Sequence, residues 1–328
     1  MIKLDYKIDK KKLECLYIKT LFSTKFGQGK KALTVKKKFD NLKNEYPYSV
    51  IFYDISFSDI IFVEPEKIKC LINKIELRII EQSKVKFKTI NKKKKFIYEV
   101  KGELKKIFKY ENKFQSFISK FFEKELETRT CYFCNIHYVN EYKIDEQEYK
   151  NEFTLDHYYD KGSYPYLALS LYNLIPSCYV CNSKLKKEKE LDVFAPNSKS
   201  FDFNQKVKFK LFLSPHCKNL NIKSKDDIEI PLKERYSDKY EKYIEVFKLN
   251  ERYQAHKDIV FEMIEKAELY PESRLKELQD LTGIDYQQIK KDIFNLIDDD
   301  IDLSKEPFSK LKRDMAKELG LIREEKYV

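Results

Sequence analysis

Glycine and long apolar runs are both scarce in this sequence. The 6 glycines among 328 residues exclude collagen-like and low-complexity classes and disfavour glycine-rich nucleotide loops. No uncharged apolar run approaches the ~18–20 residues of a membrane-spanning helix, because Asp54 and Asp59 interrupt the longest candidate, residues 50–63. The first residues also lack the apolar segment of a secretory signal. We therefore expect a soluble, cytoplasmic protein without membrane contact.

Cysteine occurs seven times, and its distribution argues against a disulfide framework. The count is odd, and four of the seven form two CxxC pairs, Cys131/Cys134 and Cys178/Cys181. In a reducing compartment, paired CxxC units are typical of a thiolate metal site. Hydrophobic residues make up 42% of the chain and aromatic residues 15%, which is enough for a packed core.

Positive charge is concentrated in the first part of the chain. Residues 1–130 contain 32 Lys and Arg against 17 Asp and Glu, whereas residues 131–328 contain 33 against 37. Such asymmetry is typical of a protein that binds a phosphate backbone. A solvated lysine surface is the alternative interpretation of the same charge.

The pattern of residues 1–128 predicts a basic domain of mixed helices and strands. Pro65 opens a helical spacing of apolar residues. Lys84–Ile90 and Phe96–Val100 instead alternate, which predicts a β-hairpin with Lys92–Lys95 at its tip. A long helix is predicted over 101–127, and the residues expected to face the core are Leu104, Ile107, Phe108, Phe117, Phe121 and Phe122. The residues expected to bind nucleic acid are Lys84, Lys86, Lys88, Lys92, Lys93, Lys94, Lys95 and, further along, Lys184.

The remaining pattern predicts a central module at 129–200 and a mainly helical region at 201–328. Phe201–Leu213 is expected to add one or two strands. Candidate helices are Glu251–Ala267, Tyr286–Leu296 and Pro307–Leu319, with Gly320 as the stop of the last one.

The two CxxC pairs predict a structural zinc site. Each CxxC loop presents two thiolates to one ion, and two loops complete a tetrahedral shell of Cys131, Cys134, Cys178 and Cys181. Four thiolates leave no open position for water or substrate, so this zinc is structural. The 43 residues between the pairs exceed the ~15–20 of a plain zinc ribbon. An additional element is therefore inserted between the two halves of the site.

The insert carries further residues at fixed spacing. Asp156-His157 falls in a strand-like segment, Asn173 follows, and Asn182 comes directly after Cys181. This order of Asp-His, Asn and CxxC-Asn resembles the HNH endonucleases, whose zinc-knuckle members carry CxxC pairs in these places. The resemblance covers about residues 131–190.

The resemblance implies an α+β fold with a ββα-metal finger and a site that hydrolyses phosphodiester bonds. The implied catalytic residues are His157, Asp156, Asn173 and Asn182. His157 activates water as general base, Asp156 and Asn182 hold Mg²⁺ or Mn²⁺, and Asn173 fixes the loop that holds His157. Since neighbouring strand residues point to opposite faces, the resemblance also implies a distorted end of the strand at Asp156 and His157.

Tyr164-Pro165-Tyr166 ahead of the Asn segment is similar to bacterial HNH proteins of phage-defence loci. Such proteins often act beside an ATPase, so the resemblance implies an antiviral role and an ATPase-like partner. DNA is favoured over RNA as the nucleic acid on the same ground. Two alternatives stay open: a zinc-stabilised binding module without chemistry, and an effector controlled by a partner bound to the helical C-terminal region.

Several residues of the sequence have an ordinary structural interpretation. His137, three residues after Cys134, could replace a cysteine as zinc ligand, but with four thiolates available it is interpreted as structural. His216 and His256 have no partner at ligand spacing and are also interpreted as structural. A set of lysines after the second CxxC could contact phosphate or form a solvated helix face; these are Lys184, Lys186 and Lys187.

Overall fold

The protein is rich in helix and contains a few small sheets. The computed structural model describes residues 1–23, 25–26, 33–110, 114–126, 129–143, 149–151, 153–217, 222–297 and 301–322. The described part of the chain is rich in helix, and its sheets are two-stranded and antiparallel, which is compatible with the predicted α+β class. No helix within these ranges is long and apolar enough to cross a membrane.

The chain packs as two compact units. The first unit comprises Lys3–Tyr132 and Val139–Phe201, and the second comprises Met1–Ile2, Phe133–Tyr138 and Asp202–Val328. The predicted division assigns a separate function to each of the segments 1–128, 129–200 and 201–328. This division stays a prediction.

The first unit contains seven α-helices and six strands in its described part. The helices are α1 Lys10–Ser23, α2 Val35–Lys43, α3 Tyr48–Ile51, α4 Phe57–Ile61, α5 Pro65–Lys86, α6 Ile90–Ile107 and α7 Phe114–Leu126. The strands are β1 Lys25–Phe26, β2 Leu33–Thr34, β3 Glu141–Lys143, β4 Tyr149–Asn151, β5 Thr154–His157 and β6 Leu174–Ser177. Strands pair as β1–β2, β3–β4 and β5–β6.

The predicted β-hairpin at residues 84–100 is wrong, since this segment forms the end of α5 and the start of α6. The burial of three residues distinguishes a helix from a strand here: Phe96 and Val100 are buried, whereas Tyr98 between them is 80% exposed. Burial therefore follows a spacing of four residues, which belongs to a helix. The sequence alone predicts period two because Phe96, Tyr98 and Val100 are all residue types that can face a core.

The predicted helix over 101–127 is also wrong, because two helices occupy this region. Helix α6 ends at Ile107 and α7 begins at Phe114. Phe108 and Tyr110, just after α6, are 1% and 6% exposed. Packing of these rings outweighs the propensity to continue the helix. Phe117, expected to face the core, is 48% exposed, while the other five predicted core residues are buried.

The second unit is mainly helical, as predicted. Its helices are α8 Phe203–Lys206, α9 Glu241–Val246, α10 Leu249–Gln254, α11 Lys257–Leu269, α12 Glu272–Thr282, α13 Tyr286–Phe294 and α14 Ser309–Glu318. Its strands are β7 Val207–Phe209, β8 Phe212–Leu213, β9 Ile228–Glu229 and β10 Leu232–Glu234, paired as β7–β10 and β8–β9. The strands expected in residues 201–213 are thus confirmed, and Gly320 has φ +69°, consistent with its predicted stop after α14. The single helix expected at 251–267 is two helices, α10 and α11.

Candidate functional site

The four cysteines of the CxxC pairs form one buried cluster. The Sγ atoms of Cys131, Cys134, Cys178 and Cys181 all lie within 4.8 Å of one another. A tetrahedral Zn²⁺ with bonds of about 2.3 Å needs sulfur atoms about 3.8 Å apart, so small movements complete the shell. The backbone N–H of Cys181 lies 3.5 Å from Sγ of Cys178, an arrangement that stabilises thiolate charge. The cluster can therefore hold a structural zinc ion. His137 is exposed and stands outside the cluster.

Cys134 and Asn135 are anchored by hydrogen bonds to other residues of the second unit, to which both belong. Asn135 adopts φ +53°, a conformation that asparagine tolerates, and its side chain is buried. Its Nδ2 donates to the carbonyls of Leu303 and Glu306 at 3.2 and 2.9 Å. The hydroxyl of Tyr253 donates to the carbonyl of Cys134 at 2.7 Å. The backbone of this CxxC loop is thus fixed by the chain itself, a role that the sequence analysis did not assign to Asn135.

A short hairpin and a helical turn surround the Asp-His pair. Strand β5 pairs with β6 in register through His157, which lies opposite Leu174. The chain then forms a π-helical turn, Val180–Lys186. Because β5 is regular through His157, the side chains of Asp156 and His157 have different neighbours, and the distorted strand end that the sequence resemblance implied is not seen.

Asp156 is buried against a lysine. Its side chain is 2% exposed, and its Oδ2 and Oδ1 lie 3.0 and 3.4 Å from Nζ of Lys186, which is 0% exposed. Burial raises the pKa of the Asp156 carboxyl, while the ammonium of Lys186 opposes that shift. Lys186 therefore lies neither on a solvated face nor in a position to meet phosphate, which corrects that part of the sequence interpretation.

His157 is held as a neutral ring. Its Nε2 lies 3.0 Å from the carbonyl oxygen of Ala168, and its ring packs edge-to-face on Tyr110 with centroids 4.7 Å apart. A carbonyl oxygen only accepts, so Nε2 carries the proton and Nδ1 is the basic nitrogen. Burial, with the nearby charge of Lys161, lowers the pKa of His157 to about 3. The ring is therefore neutral over the physiological pH range.

Asn173 makes the side-chain-to-backbone hydrogen bonds expected of it. Its Oδ1 accepts from the backbone N–H of Tyr159 at 2.8 Å, and its Nδ2 donates to the carbonyls of Tyr159 and Leu167 at 3.0 and 3.3 Å. Asn173 is 0% exposed. These bonds tie the loop after His157 to the turn ahead of β6. A direct catalytic role for Asn173 stays a prediction.

Asn182 lies on the same side of β5 as Asp156. Its Nδ2 donates to Oγ1 of Thr154 at 2.9 Å, and Thr154 and Asp156 share one face of the strand because they are two residues apart. The carboxylate and amide oxygens of Asp156 and Asn182 are ligands of the type that Mg²⁺ and Mn²⁺ take. The oxygen atoms of Asp156 and Asn182 are therefore of the type that binds a hard divalent ion. In this structure, however, the ammonium group of Lys186 contacts the carboxylate of Asp156.

Seven of the eight lysines predicted to bind nucleic acid cluster at the connection of α5 and α6, although they do not form a hairpin. The eighth, Lys184, is an exposed residue of the π-helical turn. Ten lysines and two acidic residues occur between residues 84 and 106. Lys92–Lys95 fall in the first turns of α6, where the positive end of the helix dipole disfavours cations. The side chain of Thr89 forms no capping hydrogen bond at this helix start. This region is an exposed polycation with the aromatic ring of Tyr98 beside it.

Lys187, directly after the π-helical turn, adopts φ +50° and ψ −121°, which strongly favours glycine. We expect Lys187→Gly to raise the free energy of unfolding by about 1 kcal/mol, because it removes this strain. The matched variant Lys184→Gly, inside the turn, should lower it by a similar amount. Urea denaturation of both proteins measures the difference, and a loss of stability in Lys187→Gly would contradict the interpretation.

Comparisons with family profiles, with curated proteins and with solved structures found no match for this chain.

Proposed function

We propose that the protein is a metal-dependent HNH-type endonuclease that hydrolyses phosphodiester bonds, with DNA as the favoured substrate. The observation that carries the proposal is the β5–β6 hairpin followed by a helical turn, with Asp156, His157, Asn173 and Asn182 in register with the four-cysteine cluster. Cysteine pairs alone support only a zinc-stabilised module. The additional residues supply a base, a carboxylate and an amide from the β5–β6 hairpin and the helical turn that follows it.

The proposed chemistry assigns each side chain a separate task. His157 takes a proton from water at Nδ1, while its Nε2–H remains bonded to Ala168 and holds the ring in place. Asn173 keeps the loop after His157 in position through its backbone hydrogen bonds. Asp156 and Asn182 would hold a Mg²⁺ or Mn²⁺ ion. When bound, such an ion supplies charge stabilisation for the phosphate and the leaving oxygen.

The lysine-rich connection of α5 and α6 is proposed to bind the phosphate backbone without reading sequence. Lysine contacts to phosphate release counterions, so each contributes to the salt dependence of binding. Exposed aromatic side chains beside the lysines, such as Tyr98, suit stacking on unpaired bases.

We expect the double variant Lys86→Ala/Lys88→Ala to weaken nucleic-acid binding and to reduce the slope of log Kd against log salt by about 1 for each lost contact. Fluorescence anisotropy with a labelled oligonucleotide over a salt series measures both quantities. Lys233→Ala/Lys276→Ala is the matched control, since both residues are exposed lysines of the second unit. An unchanged slope in the first variant would favour the solvated-surface interpretation.

The proposed activity is tested on zinc-loaded wild-type protein with supercoiled plasmid, linear duplex, single-stranded DNA and RNA. We expect cleavage with Mg²⁺ or Mn²⁺ and none without added divalent ion, with zinc content measured in every sample. Asn182→Ala should need a higher Mn²⁺ concentration for half-maximal rate, because it removes a proposed ligand. Folded, zinc-loaded protein that cuts none of the four substrates would contradict autonomous nuclease activity and favour the binding-module alternative.

A further inference from the structure

Lys186 lies in a pocket of oxygen atoms that belongs to the proposed catalytic centre. Its Nζ is 3.0 Å from Oδ2 of Asp156 and 3.0 Å from the carbonyl oxygen of His157. The ammonium also lies 5.7 Å from the centroid of the Tyr158 ring. A carboxylate, a carbonyl and an aromatic face thus surround one positive charge that is shielded from solvent.

The backbone on both sides of Lys186 has an unusual conformation that places its side chain in this pocket. The π-helical turn closes with a hydrogen bond of 2.8 Å from the N–H of Lys187 to the carbonyl of Asn182, five residues back. Lys187 then takes its strained positive φ. Wide turns and strained backbone of this kind cost free energy and are found mainly at functional sites. The neighbouring Lys184 points to solvent, so the burial of Lys186 is specific to its position.

We propose that Lys186 is a built-in competitor for the divalent ion at Asp156. The inference rests on the proposed function, because it takes Asp156 as a ligand of that ion. Carboxylate and carbonyl oxygens are the donors that a hard divalent ion prefers, and Lys186 already occupies them with its ammonium. Two cations cannot share one buried carboxylate at contact distance without strong repulsion. The ion therefore enters only when Lys186 leaves, and Lys186 sets the metal affinity of the site.

Competition has a direct thermodynamic consequence. In the wild type, the free energy gained by metal binding is reduced by the loss of the Lys186–Asp156 pair. When the ammonium is removed, a buried carboxylate is left without a counter-charge, and a divalent ion then supplies one. A lysine that only stabilised the fold would lower the melting temperature when replaced, but metal would not restore it.

The test measures Mn²⁺ binding by electron paramagnetic resonance in zinc-loaded protein without nucleic acid. We expect Lys186→Met to bind Mn²⁺ at least tenfold more tightly than wild type. Its melting temperature should also rise more on Mn²⁺ addition, because a ligand that binds only the folded state stabilises it in proportion to its affinity. Lys186→Gln keeps a donor for the His157 carbonyl and should behave in the same way if Lys186→Met folds poorly.

Two control variants decide the assignment. Lys184→Met, an exposed lysine of the same turn, should leave Mn²⁺ affinity unchanged, and Asp156→Asn/Lys186→Met should lose the gain. Equal Mn²⁺ affinity in wild type, Lys186→Met and Lys186→Gln would overturn the inference, as would a gain that survives in the double variant. Because no substrate is present, these outcomes are independent of whether the wild type cuts nucleic acid.

Discussion

Cys178→Ala protein is expected to lose its zinc and to unfold around the four-cysteine cluster. Structural zinc contributes on the order of 10 kcal/mol to the folding of small modules at neutral pH, which equals the whole stability of many domains. All four cysteines are buried, so removal of one thiolate leaves the other three without a compensating ion. Zinc content by atomic absorption and the melting temperature by circular dichroism measure the effect.

The matched control is Cys70→Ala, because Cys70 is an exposed residue of α5. It should keep one zinc per chain and the wild-type melting temperature. A soluble Cys178→Ala protein with unchanged zinc content would contradict the four-thiolate site, since three cysteines cannot complete its shell.

His157→Gln is expected to reduce the cleavage rate by about 10²–10⁴-fold, the usual contribution of a general base. The glutamine amide can still donate to the carbonyl of Ala168, as Nε2 of His157 does, but it has no basic nitrogen. His157→Ala should lose the same activity and also stability, because the ring is buried against Tyr110. Single-turnover cleavage at saturating metal separates the rate of chemistry from binding.

His216→Ala is the control for the histidine substitution, since His216 is exposed. It should cleave at the wild-type rate. A His157→Gln protein with a rate within threefold of wild type would exclude His157 as the base, whatever the activity of the alanine variant.

The neutral state of His157 also predicts a pH dependence of stability. Its pKa is about 3 in the folded protein and about 6.5 in an unfolded chain. Between these values the unfolded chain binds a proton that the folded chain does not, so the free energy of unfolding falls as the pH drops below 6.5. Urea denaturation at several pH values should show a smaller fall for His157→Gln than for wild type. Equal pH dependence in the two proteins would contradict the assigned pKa.

Features that depend on residues close together in the sequence were the most predictable. Two CxxC pairs were sufficient to predict the buried cluster, and apolar residues four and three apart predicted α5 from Pro65. The alternation of apolar and polar residues predicted a strand wrongly in α6, because this helix exposes one large aromatic side chain, Tyr98. A strand and a helix face then differ by a single residue, and only tertiary packing decides between them.

The environment of the candidate site was not predictable in the same way. Lys186 looked like any surface lysine because its partner, Asp156, lies 30 residues earlier and meets it only through the fold. Tyr110 reaches His157 from beyond α6 for the same reason. Sequence spacing identifies candidate side chains, but the burial that shifts the pKa values of Asp156 and His157 depends on the tertiary fold.

The N-terminus of α6 links the proposed binding of nucleic acid to the stability of the first helical turn. Its first turns carry Lys92–Lys95 without an acidic residue, and the side chain of Thr89 provides no cap. Phosphate oxygens accept hydrogen bonds from uncapped backbone N–H groups and neutralise the ammonium charges at the same place. A bound polyanion would act as the missing helix cap, so we expect the amide protons of residues 90–92 to exchange more slowly with solvent deuterium when nucleic acid is added.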